Sequence, residues 1–157
     1  MGIGRTDADA SSDVLFSEVY REQFPRLMRV AFLMTGSNEA AEDAVQDVFL
    51  RCRSRLADLD DAPSYLRAAV INECRSVHRR RPREHAVHEA ADERLPSELV
   101  ELRDALDRLP WRQRAAIILR YFVDIPDDEI AETLRCRPAT VRSLIRRGIG
   151  MLREVLT

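Results

Sequence analysis

Near the C-terminal end, the segment DDEIAETLRCRPATVRSLIRR carries Ile130, Ala131 and Leu134 at helical spacing, a polar break over Arg135 to Arg137, and then Val141 and Leu144 at helical spacing again. With these apolar residues committed to packing two short helices together, Arg137, Thr140, Arg142, Ser143, Arg146 and Arg147 are left at the start and on the outer face of the second helix. Hydroxyls donate or accept, and a guanidinium bonds both acceptors of a guanine edge. The set therefore suits a helix that reads the major groove of duplex DNA. Ala131 is small enough to let the two helices approach closely. Arg135 stands where such a turn favours a left-handed glycine, and Arg137 precedes Pro138 where Ser or Thr would cap better.

The formal net charge is only −2, but the charges are segregated. Residues 74 to 83 contain five Arg and no acid, residues 135 to 153 contain six Arg and no acid, and residues 84 to 107 carry eight acids against two Arg. All 25 basic residues are Arg, the side chain that pairs bidentately with phosphate and guanine. Both basic runs lie on helices whose opposite face is apolar. Their guanidiniums are thus free to meet phosphates and release counterions.

No catalytic set is recognisable: a Gly-rich phosphate loop, HExxH and GxSxG are all absent, and neither an enzyme nor a cofactor is expected. Cys52, Cys74 and Cys136 are odd in number and lack CxxC spacing, which fits a reducing cytoplasm better than a disulfide framework. Cys74, His78, His85 and His88 are ligand types close in sequence, but their spacing matches no closed zinc module. Cys74 reads as core, the histidines as solvated, and no metal is expected.

A chain of 157 residues, 45% hydrophobic and 33% charged, holds one ordinary domain or two small ones. Apolar spacing is helical almost throughout, with no sustained alternation, so the protein is predicted to be all-α. Residues 1 to 13 carry three Asp and no apolar run, and are expected to be disordered, serving neither as a leader peptide nor as a membrane anchor. Phe16, Val19, Tyr20 and Phe24 open a stripe that Leu27, Val30, Ala31 and Met34 continue beyond Pro25, where a kink or break is expected; Gly36 stops it. Ser37 or Asn38 caps a second helix that turns Ala41, Ala44, Val45, Val48, Cys52 and Leu56 inward. A third helix starts near Asp61, with Pro63 in its first turn, and buries Leu66, Ala69, Val70, Cys74 and Val77. These close a first unit, residues 14 to 83. The acidic stretch 84 to 96 reads as a flexible linker. Residues 97 to 157 form a second unit: a helix through Leu99, Leu102, Leu106 and Leu109, another through Ala115, Ile118, Leu119 and Phe122, and then the helix pair.

Together the two halves resemble the extracytoplasmic-function sigma factors of the sigma-70 family, from about Val14 to Leu156. YREQFPRLMRVAFLMTGSNEAAEDAVQDVFLRC is similar to the opening of sigma domain 2, with its AED-x-VQ-x-x-F signature. LDRLPWRQRAAIILRYFVDIPDDEIAETL with TVRSLIRRG is similar to sigma domain 4. The resemblance implies a cytoplasmic subunit that binds core RNA polymerase, recognises the minus-35 and minus-ten promoter elements and aids melting. It places Glu42, Asp43, Gln46, Asp47, Phe49 and Leu50 against the clamp helices of the largest polymerase subunit, and domain 4 against the flap of the second-largest. It assigns minus-ten recognition to Asn72, Arg75, Ser76, Arg79 and Arg80, and minus-35 recognition to Arg137, Thr140, Arg142, Ser143, Arg146 and Arg147. Ser76 stands where many members carry Asp, and Leu144 where many carry Arg. An anti-sigma protein is a further implied partner.

The residues support part of this independently. Residues 38 to 47 hold four acids and no Arg, a surface suited to a basic partner, and Phe49 lies off the main apolar stripe, either as an exposed anchor or as core. Residues 72, 75 and 79 share a helix face. A rival reading, a DNA-binding regulator acting without polymerase, accounts for the helix pair but leaves the AEDAVQDVF helix and the first Arg run without a role.

Overall fold

A computed structural model describes residues 7–80 and 96–156, and all regular structure among them is helical. The first unit comprises α1 (Asp7–Thr35), α2 (Asn38–Cys52) and α3 (Ala62–Arg80), with a 3-10 turn at Leu56–Asp58 between the last two. The second comprises α4 (Ser97–Asp107), α5 (Trp111–Ile117), α6 (Asp127–Leu134) and α7 (Pro138–Leu156). Helix α5 runs on as a π stretch over Ile118–Phe122. The expected linker lies outside the described residues except for Pro96.

Two expectations for α1 are corrected. The helix already begins at Asp7, within the stretch expected to be disordered; Asp7 and Asp9 complement the positive end of its dipole. Asp13 pairs with Arg53 at 3.2 Å, and the same guanidinium lies 4.9 Å above the Phe16 ring. Pro25 does not break α1 either. The missing amide forfeits one hydrogen bond, while Leu27, Val30, Ala31 and Leu33 on the following turns are buried in the core shared with α2 and α3.

Local signals end and start the helices. Gly36 has φ +74°, closing α1, and Ser37 then caps α2 by accepting from the Ala40 amide at 3.2 Å. A side chain at 36 would also bring its Cβ to 3.0 Å from an Asp107 carboxylate oxygen, so this turn abuts the second unit. Asp61 accepts from the Ser64 amide (3.2 Å) and hydroxyl (2.7 Å) at the start of α3, which holds its carboxyl below the usual carboxylate range. In the π stretch the Val123 amide reaches back to the Ile118 carbonyl at 3.1 Å. The extra residue in that turn rotates Phe122 outward to 48% exposure, against its expected inward position.

The buried residues of both units form one continuous cluster. At the junction Arg114 is 1% exposed; its Nη1 donates to the Met34 carbonyl at 2.7 Å and its Nη2 to the Asp107 carbonyl at 2.9 Å. The Asp107 carboxylate lies 3.2 Å from Nη1. Arg67 on α3 meets Glu129 on α6 at 3.4 Å, and Arg103 on α4 lies 5.7 Å over Phe32 on α1.

Candidate nucleic-acid interface

Helix α6 and helix α7 form a helix-turn-helix. Asp127, Asp128 and Glu129 occupy the first turn of α6, and Arg135 ends the helix in the left-handed region at φ 52°, ψ 53°. There the Arg135 amide bonds the Glu132 carbonyl at 3.3 Å and the Cys136 amide bonds the Ala131 carbonyl at 3.0 Å. Arg112 donates to the Leu134 carbonyl at 2.9 Å, placing a cation at the negative end of α6. Ile130, Ala131, Leu134 and Val141 are buried between the pair. Gly148 sets how closely α7 lies on α5, since a Cβ there would meet the Ile117 terminal methyl at 2.5 Å.

This packing leaves Arg137, Arg142, Arg146 and Arg147 exposed, with Thr140 and Ser143 half-buried among them. Arg142 lies 3.9 Å from Asp127, so α6 helps orient it. Leu144 is not on this surface; it packs against the core and faces α3.

The residues expected to read the minus-ten element line two separate clefts along α3. Asn72 and Ser76 line a cleft of about 640 Å³ with Arg51, Arg55, Tyr65 and Glu73. Arg75 and Arg79 instead line a cleft of about 350 Å³ against the second unit, with the Arg75 guanidinium 5.2 Å over the Trp111 ring. Arg80 is the last residue of α3. Arg51, Arg55 and Tyr65 complete the lining of the Asn72 cleft and are not among the residues expected from sequence. Their signals are present in retrospect: Arg51 and Arg55 are one turn apart, and Tyr65, Asn72 and Ser76 recur at helical spacing on one face.

On α2, Glu42, Asp43 and Asp47 are exposed and Leu50 projects at 68% exposure. Gln46 is half-buried and its Nε2 donates to the Tyr20 hydroxyl at 3.3 Å. Phe49 is corrected from partner-facing anchor to core. It is 1% exposed, with ring centroids 4.8 Å from Tyr20 and 6.0 Å edge-on from Phe16, because the aromatic stripe of α1 closes over it.

Cys74 is fully buried, and burial, with a smaller contribution from the Glu73 charge, pushes its thiol up to about 12. His85 and His88 lie outside the described residues. Among the described residues no helix is long and apolar enough to cross a membrane.

Comparison with known proteins agrees with this architecture. Residues 19–84 match the Sigma-70 region 2 model and residues 99–152 the Sigma-70, region 4 model. An RNA polymerase sigma-E factor of Streptomyces antibioticus is 30% identical over 94% of this chain and 88% of its own length. The ECF RNA polymerase sigma factor SigM of Mycobacterium tuberculosis is 30% identical over 97% of this chain and 85% of its own. The ECF sigma factor SigE of Mycolicibacterium smegmatis is also 30% identical, and this chain spans 61% of its length. Among solved structures, the sigma factor RpoE in complex with the anti-sigma factor NepR from Bartonella quintana has a similar fold, with TM-score 0.74 at 24% identity over 90% of this chain and 96% of that one. CnrH in complex with the cytosolic domain of CnrY has TM-score 0.71 at 22% identity, over 90% of this chain and 86% of that one. Two packed helical units, the second ending in a helix-turn-helix, thus define a transcription initiation factor of the sigma-70 class. Within that class the chain belongs to the extracytoplasmic-function sigma factors.

Proposed function

We propose that this sigma factor docks on core RNA polymerase through the acidic face of α2, with Leu50 as its apolar anchor, and engages the two promoter elements with α3 and α7. Glu42, Asp43 and Asp47 meet a basic partner surface, the clamp helices of the largest subunit. Arg137, Thr140, Arg142, Ser143, Arg146 and Arg147 read the minus-35 duplex from the major groove. At the minus-ten element, the cleft of Asn72 and Ser76 receives an unstacked base against Tyr65, while Arg55, and Arg51 on exchanging its 2.8 Å ion pair with Glu73, neutralise flanking phosphates. Phosphate contacts and stacking offset the unpairing cost of about a few kcal/mol.

The observation that carries this reading is the coexistence, in one chain, of an exposed arginine face on α7 and a separate acidic α2 face bearing Leu50 at 68% exposure. A regulator acting on DNA alone needs only the first. Here the two units that carry these readers are packed on one continuous core. An anti-sigma protein, of the kind solved with RpoE, is a partner that exploits this compact arrangement.

The test is transcription from a pooled library of promoter-like fragments by core polymerase, with and without the chain, followed by mapping of new 5′ ends. New starts preceded by two shared motifs are expected. Retention of duplex fragments by the protein alone, without new starts, would favour the stand-alone regulator.

A further inference from the structure

We propose that the cleft between α3 and the second unit is a binding site for a small ligand of the nucleotide class, held by its phosphates and its base together. Arg75 and Arg79 reach it from α3, Trp111, Arg112 and Gln113 from α5, and Leu144 from α7. Its volume of about 350 Å³ lies within the range of about 300–1,000 Å³ common to small-molecule sites.

The charge of the cleft is unbalanced. Three guanidiniums converge on it, and no carboxylate is among its described lining residues. Arg112 spends one nitrogen on the Leu134 carbonyl, leaving donors on the rest of its fork. A polyphosphate relieves the mutual repulsion of the three cations and matches the bidentate geometry of guanidinium.

The aromatic side of the cleft distinguishes a nucleotide from a bare anion. Trp111 already takes one cation against its ring, Arg75 at 5.2 Å. Its Nε1 and the Gln113 Oε1 are buried and have no hydrogen-bond partner among the described residues. Buried polar atoms are rarely left so. An indole donor and an amide acceptor that line one cleft match a nucleobase, which carries both a ring acceptor and an amino donor. Phosphate offers acceptors alone and leaves Gln113 Oε1 unmet.

Because the lining comes from both units, the ligand binds only while they are packed together, and its binding favours that closed arrangement. Arg75 and Arg79 are thereby withheld from DNA. That consequence rests on the minus-ten role that the family resemblance implies for them; the binding itself does not.

Trp111 is the sole tryptophan, so its fluorescence reports directly on the cleft. The full chain is titrated with GTP, ATP and inorganic pyrophosphate at constant ionic strength, without DNA or polymerase, with calorimetry in parallel. The expected result is saturable binding of at least one nucleotide, weaker binding of pyrophosphate, and a loss of about tenfold or more in Arg112→Gln and Arg79→Gln. Thermal melting establishes that both variants fold; Arg79 is exposed near the end of α3 and its replacement leaves the core intact. Absence of saturable binding at millimolar nucleotide, unchanged affinity in folded Arg79→Gln, or pyrophosphate binding as tightly as nucleotide would overturn the proposal. Since no transcription is measured, a negative result here leaves the sigma-factor reading to its own test.

Discussion

The guanidinium of Arg114, on α5, donates to the main-chain carbonyl of Met34 at 2.7 Å, so a charge from the second unit satisfies one of the last carbonyls of the first unit's opening helix. The same side chain bonds the carbonyls of Asp107 and Leu109 at 2.9 and 3.4 Å and pairs with the Asp107 carboxylate. Burial lowers the proton affinity of Arg114, and the Asp107 charge works against that shift. Arg114→Ala removes the donor shared by the carbonyls of Met34, Asp107 and Leu109. A loss of about 3–5 kcal/mol in urea denaturation is expected. A loss below about 1 kcal/mol would mean that water replaces the guanidinium at the junction.

Phe49 and Leu50 are adjacent in sequence but opposite in burial, at 1% and 68% exposure. Phe49→Ala opens a cavity under the α1 aromatics and is expected to destabilise the fold by about 3–5 kcal/mol. Leu50→Asp should leave the melting temperature nearly unchanged, and with Asp43→Arg should weaken binding to core polymerase. Both properties are measured on the same preparations. Normal core affinity in Leu50→Asp and Asp43→Arg alike would move the docking surface off α2.

Arg146→Ala and Arg147→Ala separate base reading from phosphate contact. A bidentate guanine contact loses about 1–3 kcal/mol on its own minus-35 duplex and relaxes preference at one base pair. A phosphate contact weakens all duplexes alike and reduces the salt slope by about one. Anisotropy titrations at several salt concentrations distinguish the two. A flat response in both variants would remove these arginines from the DNA surface.

Cys74 and Asp61 set opposite pH limits. The Cys74 thiol is raised to about 12 in the fold, from an ordinary value of 9.0 that the unfolded chain retains. The unfolded state therefore ionises first, and stability should fall as pH rises above 9 toward 12; Cys74→Ala should flatten that limb. Asp61 is shifted the other way by its bonds from Ser64. Its contribution is present above the unfolded carboxylate pKa and is lost as pH falls through the lower folded value, a slope that Asp61→Asn should remove. Denaturation midpoints across pH measure both.

Arg135 adopts φ 52° without being glycine. Left-handed conformation costs an L-residue roughly 1–2 kcal/mol, and glycine pays back roughly 0.5–1 kcal/mol of that in chain entropy. Arg135→Gly is therefore expected to raise stability by about 1 kcal/mol or less, read as a higher melting temperature, with Arg135→Ala near the parent. A lower melting temperature for Arg135→Gly would show that the side chain itself holds the turn.

Much of this architecture is legible residue by residue. Each helix carries its own apolar period, so α2, α3, α6 and α7 can be placed from spacing, and the Ser37 cap and the turn at Arg135 act within a few residues of themselves. Even the exposed arginines of α7 follow from which positions the apolar face has already claimed. Pro25 marks where local rules stop deciding. Its cost is local, but the packing that outweighs it comes from α2 and α3.

Periodicity says which face of a helix is apolar and nothing about what covers it. The fate of Phe49 depended on Phe16 and Tyr20, about thirty residues earlier in the chain. Nothing in the spacing singles out Arg114; the carbonyls of Met34, Asp107 and Leu109 make its burial possible. Asn72 and Ser76 line one cleft and Arg75 and Arg79 another because Trp111, from the second unit, packs beside Arg75. Helix formation and capping are short-range energies written into neighbouring residues. The desolvation of a charge or an aromatic ring is set by atoms distant in the chain, and only the tertiary structure brings those together.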